Sequence, residues 1–302
     1  MPAHLLAASR RQFLLAAGAG AATAVTCRAY GDDRSSTEEV VYLLNDTHIG
    51  EHQPTDSPVP SHLRQAVEEL VKREQKPACV LINGDLALKD GQPGDYRHLA
   101  RLLKPMRDAE IDVHVTLGNH DNREVFFEVL AEDRAEVPAV KSRQISIVET
   151  RFANFYLLDS LQETMKTPGV LGAEQLEWLA SALDDRAEKP AIIVAHHNPR
   201  LGGDPAHFPG GLVDSDALWR LLAGRKQVKA YLHGHVHHRA LAAHKGIHII
   251  NNLAISYVGN PAKSTTGWTI ARLTADGMTM QTRTTDAKHA WHNEIERLVW
   301  RS

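Results

Sequence analysis

Five apolar runs set the layout of the chain. Residues 40–44, 78–82, 111–117, 191–195 and 228–232 are short, rich in Val, Ile and Leu, and closed by Asn, Gly, Asp or His. The runs at 40–44 and 191–195 are continuous, as in fully buried strands, whereas 111–117 alternates apolar with polar. Helical periodicity fills the spaces between them. Ser61 looks like an N-cap for a helix to Lys72, with Leu63, Val67, Leu70 and Val71 on one face, and further helices are predicted over 95–106, 123–132, 171–183 and 214–222. Residues 144–148 and 152–158 read as a hairpin around Glu149-Thr150-Arg151, ending in Asp159-Ser160. Segments 248–252, 254–258, 268–273 and 278–283 read as strands of a second sheet, and 287–300 as a closing helix.

The chemistry collects where the strands end. After 111–117 comes Gly118-Asn119-His120-Asp121, in which Gly118 permits a sharp turn and three polar side chains emerge together. Ligands of open α/β sheets bind at that edge. The first run ends in Asp46-Thr47-His48, whose ligating side chains lie two residues apart on one face of an extended segment and so reach one ion. The second ends in Asn83-Gly84-Asp85, a carboxylate placed either to bridge two ions or to cap the next turn. The fourth ends in His196-His197. The fifth ends in His233-Gly234-His235-Val236-His237-His238, where His235 and His237 repeat the spacing of Asp46 and His48. Imidazole with carboxylate suits Fe, Mn, Zn or Co better than Ca or Mg. Arg123 follows the Gly-Asn-His-Asp turn closely enough to touch a substrate phosphate, or is a helix-surface charge. The loop 198–211, rich in Pro and Gly, is the expected rim of a site. Its Arg200 and His207 are candidate substrate contacts, as is His197.

Composition sharpens this picture. Eighteen histidines against two cysteines put a metal question ahead of a disulfide one. Cys79, inside an apolar run, reads as a buried, inert thiol. A net charge of −3 gives no basic footprint for a nucleic acid polymer. At 302 residues and 43% hydrophobic, the chain is long enough for one large domain. Ser9-Arg10-Arg11-Gln12-Phe13-Leu14, followed by an Ala- and Gly-rich apolar stretch too short for an ordinary membrane span, resembles a twin-arginine export signal. The expected organisation is therefore a signal over 1–29, a linker over 30–39, a catalytic domain over 40–285 and a C-terminal helix over 286–302. The mature chain is expected in the periplasm or outside the cell, without a transmembrane anchor.

Taken in order, Asp-x-His, Gly-Asp, Gly-Asn-His-Asp, a strand-end His and Gly-His-x-His resemble the calcineurin-like metallophosphoesterases over 40–257. Asp159-Ser160 and the helix at 174–179 are similar to the branch holding cyclic-nucleotide and glycerophosphodiester phosphodiesterases. That branch usually carries His-His-Pro-Pro, and His196-His197-Asn198-Pro199 departs from it. The resemblance implies a four-layer αββα sandwich of two mixed β-sheets with outer helices. It implies two divalent or trivalent transition-metal ions, one on Asp46, His48, Asp85 and His237, the other on Asp85, Asn119, His196 and His235. It implies a small-molecule phosphate-ester substrate, and in-line attack on a phosphodiester by a metal-bridging hydroxide. His120 would serve the leaving oxygen as general acid, with Asp121 orienting it. A phosphomonoesterase on the same site is the alternative, and a non-catalytic scaffold of the same fold a further one. A tyrosinate-bound iron site of the purple acid phosphatase kind is excluded, because Leu88 occupies the tyrosine's position and His48 that of a glycine.

Overall fold

In a computed structural model of the chain, residues 36–134, 140–201 and 210–302 are described in full and 24–26 as backbone. The first strands are β1 (Ala24–Thr26), β2 (Glu39–Asn45), β3 (Cys79–Asn83), β4 (Val113–Thr116), β5 (Ser146–Glu149), β6 (Asn154–Leu157) and β7 (Ala191–Val194). They are followed by β8 (Val228–His233), β9 (Ala240–His244), β10 (Ile247–Asn251), β11 (Gly267–Leu273), β12 (Gly277–Thr284) and β13 (Ile295–Val299). The helices are α1 (Pro58–Lys72), α2 (Pro93–Asp108), α3 (Arg123–Val129), α4 (Ala173–Asp184) and α5 (Ser215–Ala223).

The apolar runs are continuous because both faces of these strands are covered. Val40, Tyr42 and Leu44 of β2 pack with α1 and α2, while Val41 and Leu43 face the other sheet. In β7, Ile193 packs with α4 and α5, and Ile192 and Val194 point back between the sheets. One sheet has the order β13-β12-β11-β2-β3-β4 and the other β1-β5-β6-β7-β8-β10-β9. Three apolar layers, helix–sheet, sheet–sheet and sheet–helix, make the expected four-layer αββα sandwich. Strands β2, β3 and β4 are mutually parallel in the first sheet, and β6, β7, β8 and β10 in the second. The site follows from this, because the carboxyl ends of β2, β3, β4, β7 and β8 carry the polar motifs. Among the described residues, no helix is long and apolar enough to cross a membrane.

Several elements differ from the sequence reading. The closing helix expected over 287–300 is instead a set of turns followed by β13, which pairs antiparallel with β12. Its Ile295, Leu298 and Val299 supply strand-forming branched side chains at a sheet edge, and that pairing overrides any helical periodicity. The last strands do not form a sheet of their own: β10 joins β8, and β11 joins β2. Residues 254–258 make no strand, although Ile255 N–H donates to the Asn45 carbonyl at 3.0 Å. Strand β9, Ala-rich and exposed, has no sequence signal and forms by pairing with β10. Helix α1 begins at Pro58, with Ser57 as N-cap, since proline in the first turn has no N–H to leave unsatisfied. Of the expected leader, only 24–26 falls within the described residues, as a short strand beside β5. The rest lies outside them.

Leu43 is 2% exposed in the sheet–sheet layer. Leu43→Ala is expected to cost about 2–5 kcal/mol, read as a lower urea midpoint by circular dichroism. A loss of less than about 1 kcal/mol would show that this layer is not a packed core.

Candidate metal centre

The ends of β2, β3 and β8 turn abruptly at the residues that carry the chemistry. Asp46, His48, Asp85, His235 and His237 all have positive φ, between 45° and 68°. Non-glycine residues seldom adopt this left-handed conformation, and such strain clusters at functional sites. It swings their side chains off the strand direction into one region. The ligand atoms of Asp46, His48, Asp85 and His237 lie within 4.8 Å of one another, as do those of His196, His197 and His235.

The proton positions within this cluster are dictated by backbone carbonyls. His48 Nδ1 sits 3.3 Å from the Leu88 carbonyl, and His237 Nδ1 sits 2.8 Å from that of Tyr257. A carbonyl only accepts, so both Nδ1 atoms carry hydrogen, and in the neutral imidazole both Nε2 atoms present lone pairs. Those Nε2 atoms face each other at 3.1 Å, an arrangement that repels unless a proton or a metal ion shares it. His196 repeats the logic. Its Nδ1 is 3.2 Å from the Asn83 carbonyl, and its Nε2 is 3.2 Å from Asp85 Oδ2. Imidazoles that bind metals are commonly held in this way through the other nitrogen.

Charge in the cluster follows from the same contacts. Burial alone would raise the Asp46 carboxyl, but His237 and His196 beside it hold it below the usual range. Burial likewise opposes ionisation of Asp85, which His196 and His48 nonetheless hold well below that range. Burial would also depress His196, yet the carboxylates of Asp85 and Asp46 push it up to about 9. His237 is raised against burial by Asp46. Burial pulls His48 down to about 4 and His235 to about 3. Both shifts lean toward the protonated imidazole, in which His196 and His237 would balance the two buried carboxylates as cations otherwise would.

The donor set fits transition-metal ions. It is imidazole nitrogen and carboxylate oxygen, with no thiolate. Among the described residues, no hydrogen bond reaches the buried Asn119 Oδ1, an amide oxygen of the kind a cation satisfies.

The remaining candidates divide. His120 lies at the cluster, its ring 4.9 Å from that of His48 and its backbone N–H on Asp85 Oδ1 at 2.9 Å. Its Nδ1 donates to the Lys89 carbonyl at 2.8 Å, so Asp121 does not orient it. Asp121 instead accepts from the backbone N–H groups of Leu86, Ala87 and Gly118 and from the Tyr96 hydroxyl at 2.9–3.2 Å. It ties the Asp85 turn to the Gly118 turn. Burial, reinforced by the nearby Asp85 charge, pushes its carboxyl up to about 7 against the lowering effect of those N–H groups.

Arg123 is not a substrate contact. Its guanidinium forks onto Asp159 at 2.7 and 3.0 Å and also donates to the Leu161 carbonyl, so it fastens α3 to the segment after β6. His197 is buried rather than on a rim, with Nδ1 on Ser160 Oγ at 2.8 Å and its ring 4.7 Å from that of His235. Arg200 is half-buried, its backbone N–H on Ser215 Oγ at 2.8 Å. His207 lies outside the described residues. The residue that sequence reasoning missed is Tyr257, whose ring lies 4.5 Å from that of His237 and 5.0 Å from that of His48. Its only signal was one aromatic residue near the end of an apolar segment, which strands share.

Residues 40–239 match the family model described as calcineurin-like phosphoesterase. The chain belongs to that family. It is 30% identical over 218 residues to a probable cyclic nucleotide phosphodiesterase of Rhodococcus erythropolis, covering 68% of this chain and 66% of that protein. It is 30% identical over 175 residues to the 3',5'-cyclic adenosine monophosphate phosphodiesterase of Pseudomonas aeruginosa, covering 58% and 60%. The chain thus spans roughly two thirds or less of the length of these two relatives. Among solved structures, the fold is shared with a dimetal phosphatase from Danio rerio, at a TM-score of 0.65 and 16% identity over 87% of this chain and 99% of that one. It is also shared with PhoD, at 0.59 and 12% over 87% and 69%.

If His196 is a metal ligand, metal uptake displaces the proton that its raised pKa favours. With that group raised to about 9, the apparent affinity for Mn or Zn is expected to fall as pH drops below about 9, by up to about tenfold per pH unit for each displaced proton. Addition of metal to weakly buffered protein at neutral pH should acidify the solution. A pH-independent affinity without proton release would contradict the assignment. Arg123→Met should lower thermal stability and leave substrate KM unchanged.

Proposed function

We propose that the chain is a phosphodiesterase with a dinuclear metal site. Asp46, His48, Asp85 and His237 would hold one ion, and Asp85, Asn119, His196 and His235 the other. The observation that carries this reading is the position of Asp85. Its Oδ2 lies 3.5 Å from His48 Nε2 and 3.2 Å from His196 Nε2, so one carboxylate reaches a histidine of each proposed ligand group, which supports a bridging role. Paired divalent ions supply Lewis acidity toward a phosphoryl group and lower the pKa of water at their site. The names of the two relatives, both cyclic nucleotide phosphodiesterases, favour a diester over a monoester.

His120 is the general acid in this reading. With Nδ1 committed to the Lys89 carbonyl, an imidazolium at this position has its transferable proton on Nε2. Giving that proton to the leaving oxygen returns the neutral tautomer that the carbonyl already holds. No ring rotation is needed. The motif at 9–14 supports export to the periplasm or beyond.

The test is turnover by metal-free protein refilled with Mn, Zn, Co or Fe. Bis(p-nitrophenyl) phosphate is expected to be cleaved faster than p-nitrophenyl phosphate. The reverse order would make the chain a phosphatase, and no turnover with two metals bound would make it a scaffold. His120→Ala should keep its metal and lose roughly 100-fold or more in kcat. Loss of both metals from that variant would show that His120 has another role.

A further inference from the structure

Three of the seven large apolar side chains exposed among the described residues border the candidate centre. Leu88, Met165 and Tyr257 are 41%, 46% and 45% exposed, and each is joined to the site through its own backbone or ring. The Leu88 carbonyl holds His48 Nδ1 at 3.3 Å. Met165, in a left-handed turn at φ 67°, donates its N–H to the Asn119 carbonyl at 2.7 Å. Tyr257 packs its ring on both His237 and His48, yet nearly half of the residue remains open to solvent. A site meant only for a polar ester has no need of three large apolar side chains on its border.

We infer that Tyr257 is a specificity-determining residue that receives a planar aromatic substituent of the phosphoester, with Leu88 and Met165 completing an apolar rim. The chemistry rests on the phosphodiesterase reading. Its consequence is a preference for esters carrying an aromatic group over glycerol-type diesters. An aromatic ring offers a flat, polarisable face to another ring, and stacking is worth more than its contact area alone. Tyr257 is suited to this because the imidazoles behind it fix its plane. The backbone carbonyl that orients His237 is also independent of the side chain.

Binding tests this apart from turnover. Phenyl phosphate and methyl phosphate carry the same charged group and differ in the ring, so calorimetric Kd values for both on the metal-loaded full chain isolate the aromatic contribution. The wild-type protein is expected to bind phenyl phosphate about tenfold more tightly. Tyr257→Phe should keep that preference. Tyr257→Ala should abolish it, as should Tyr257→Leu, which retains apolar bulk against the imidazoles; both should leave the methyl phosphate Kd and the metal content unchanged. Equal wild-type affinities, or a parallel loss of both phosphates or of metal in the variants, would overturn the inference. A chain that cleaves no ester sinks the phosphodiesterase reading while this comparison still reads.

Discussion

Asp46 and Asp85 are buried carboxylates at the seam between the two sheets, 0% and 2% exposed. Removing a carboxylate from water costs several kcal/mol unless its charge is met, and the surrounding residues meet it from both sides. Asp46 leaves β2 in one sheet and accepts from the His235 N–H, past the end of β8 in the other, at 3.1 Å. Asp85 leaves β3 and faces His196, past the end of β7. Neutral amides make the same crossing: Asn83 Nδ2 reaches the Ala195 carbonyl at 3.1 Å, and Asn45 Nδ2 that of His233 at 3.3 Å. The site is therefore the join between the halves of the sandwich rather than an ornament on a finished fold.

That join demands unusual backbone. Five residues with positive φ cost of order 1–3 kcal/mol each relative to relaxed conformers. Their turns are locked by hydrogen bonds to one another, such as His48 N–H to the Asp85 carbonyl at 2.9 Å. The fit between them leaves no room for side chains. A Cβ on Gly118 would stand 2.2 Å from Asp85 Oδ1, and one on Gly234 would stand 2.6 Å from Asp46 Oδ2. Gly118 is not in a left-handed conformation, so what it contributes is space: its missing side chain is where the Asp85 carboxylate sits.

Features that repeat along the chain were legible in the sequence. Buried strands gave continuous apolar runs because both their faces are covered, and each ended in residues whose spacing shows at a glance. Single contacts made at long range were not legible. Nothing near Arg123 announces that Asp159, 36 residues away, takes its guanidinium. Asp121 adjoins His120 in sequence, but the turn carries its carboxylate inward to Leu86 and Ala87, so adjacency misled. Tyr257 is brought to His48 by the fold alone. Strand β13 forms because β12 offers an edge, which is a property of the neighbour and not of residues 295–299.

Four of the site's histidines are oriented by main-chain oxygens: Asn83 for His196, Leu88 for His48, Lys89 for His120 and Tyr257 for His237. A carbonyl is common to every residue type, so this layer of the site is invisible to motif reading. It also separates two jobs within single residues. Leu88 and Tyr257 fix the imidazoles of His48 and His237 with their backbones while presenting exposed side chains to whatever approaches. Substitution of those side chains leaves the orienting oxygens in place. Recognition of the organic part of a substrate can then change without disturbing the charge balance around Asp46 and Asp85, where burial leaves each charge dependent on its neighbours.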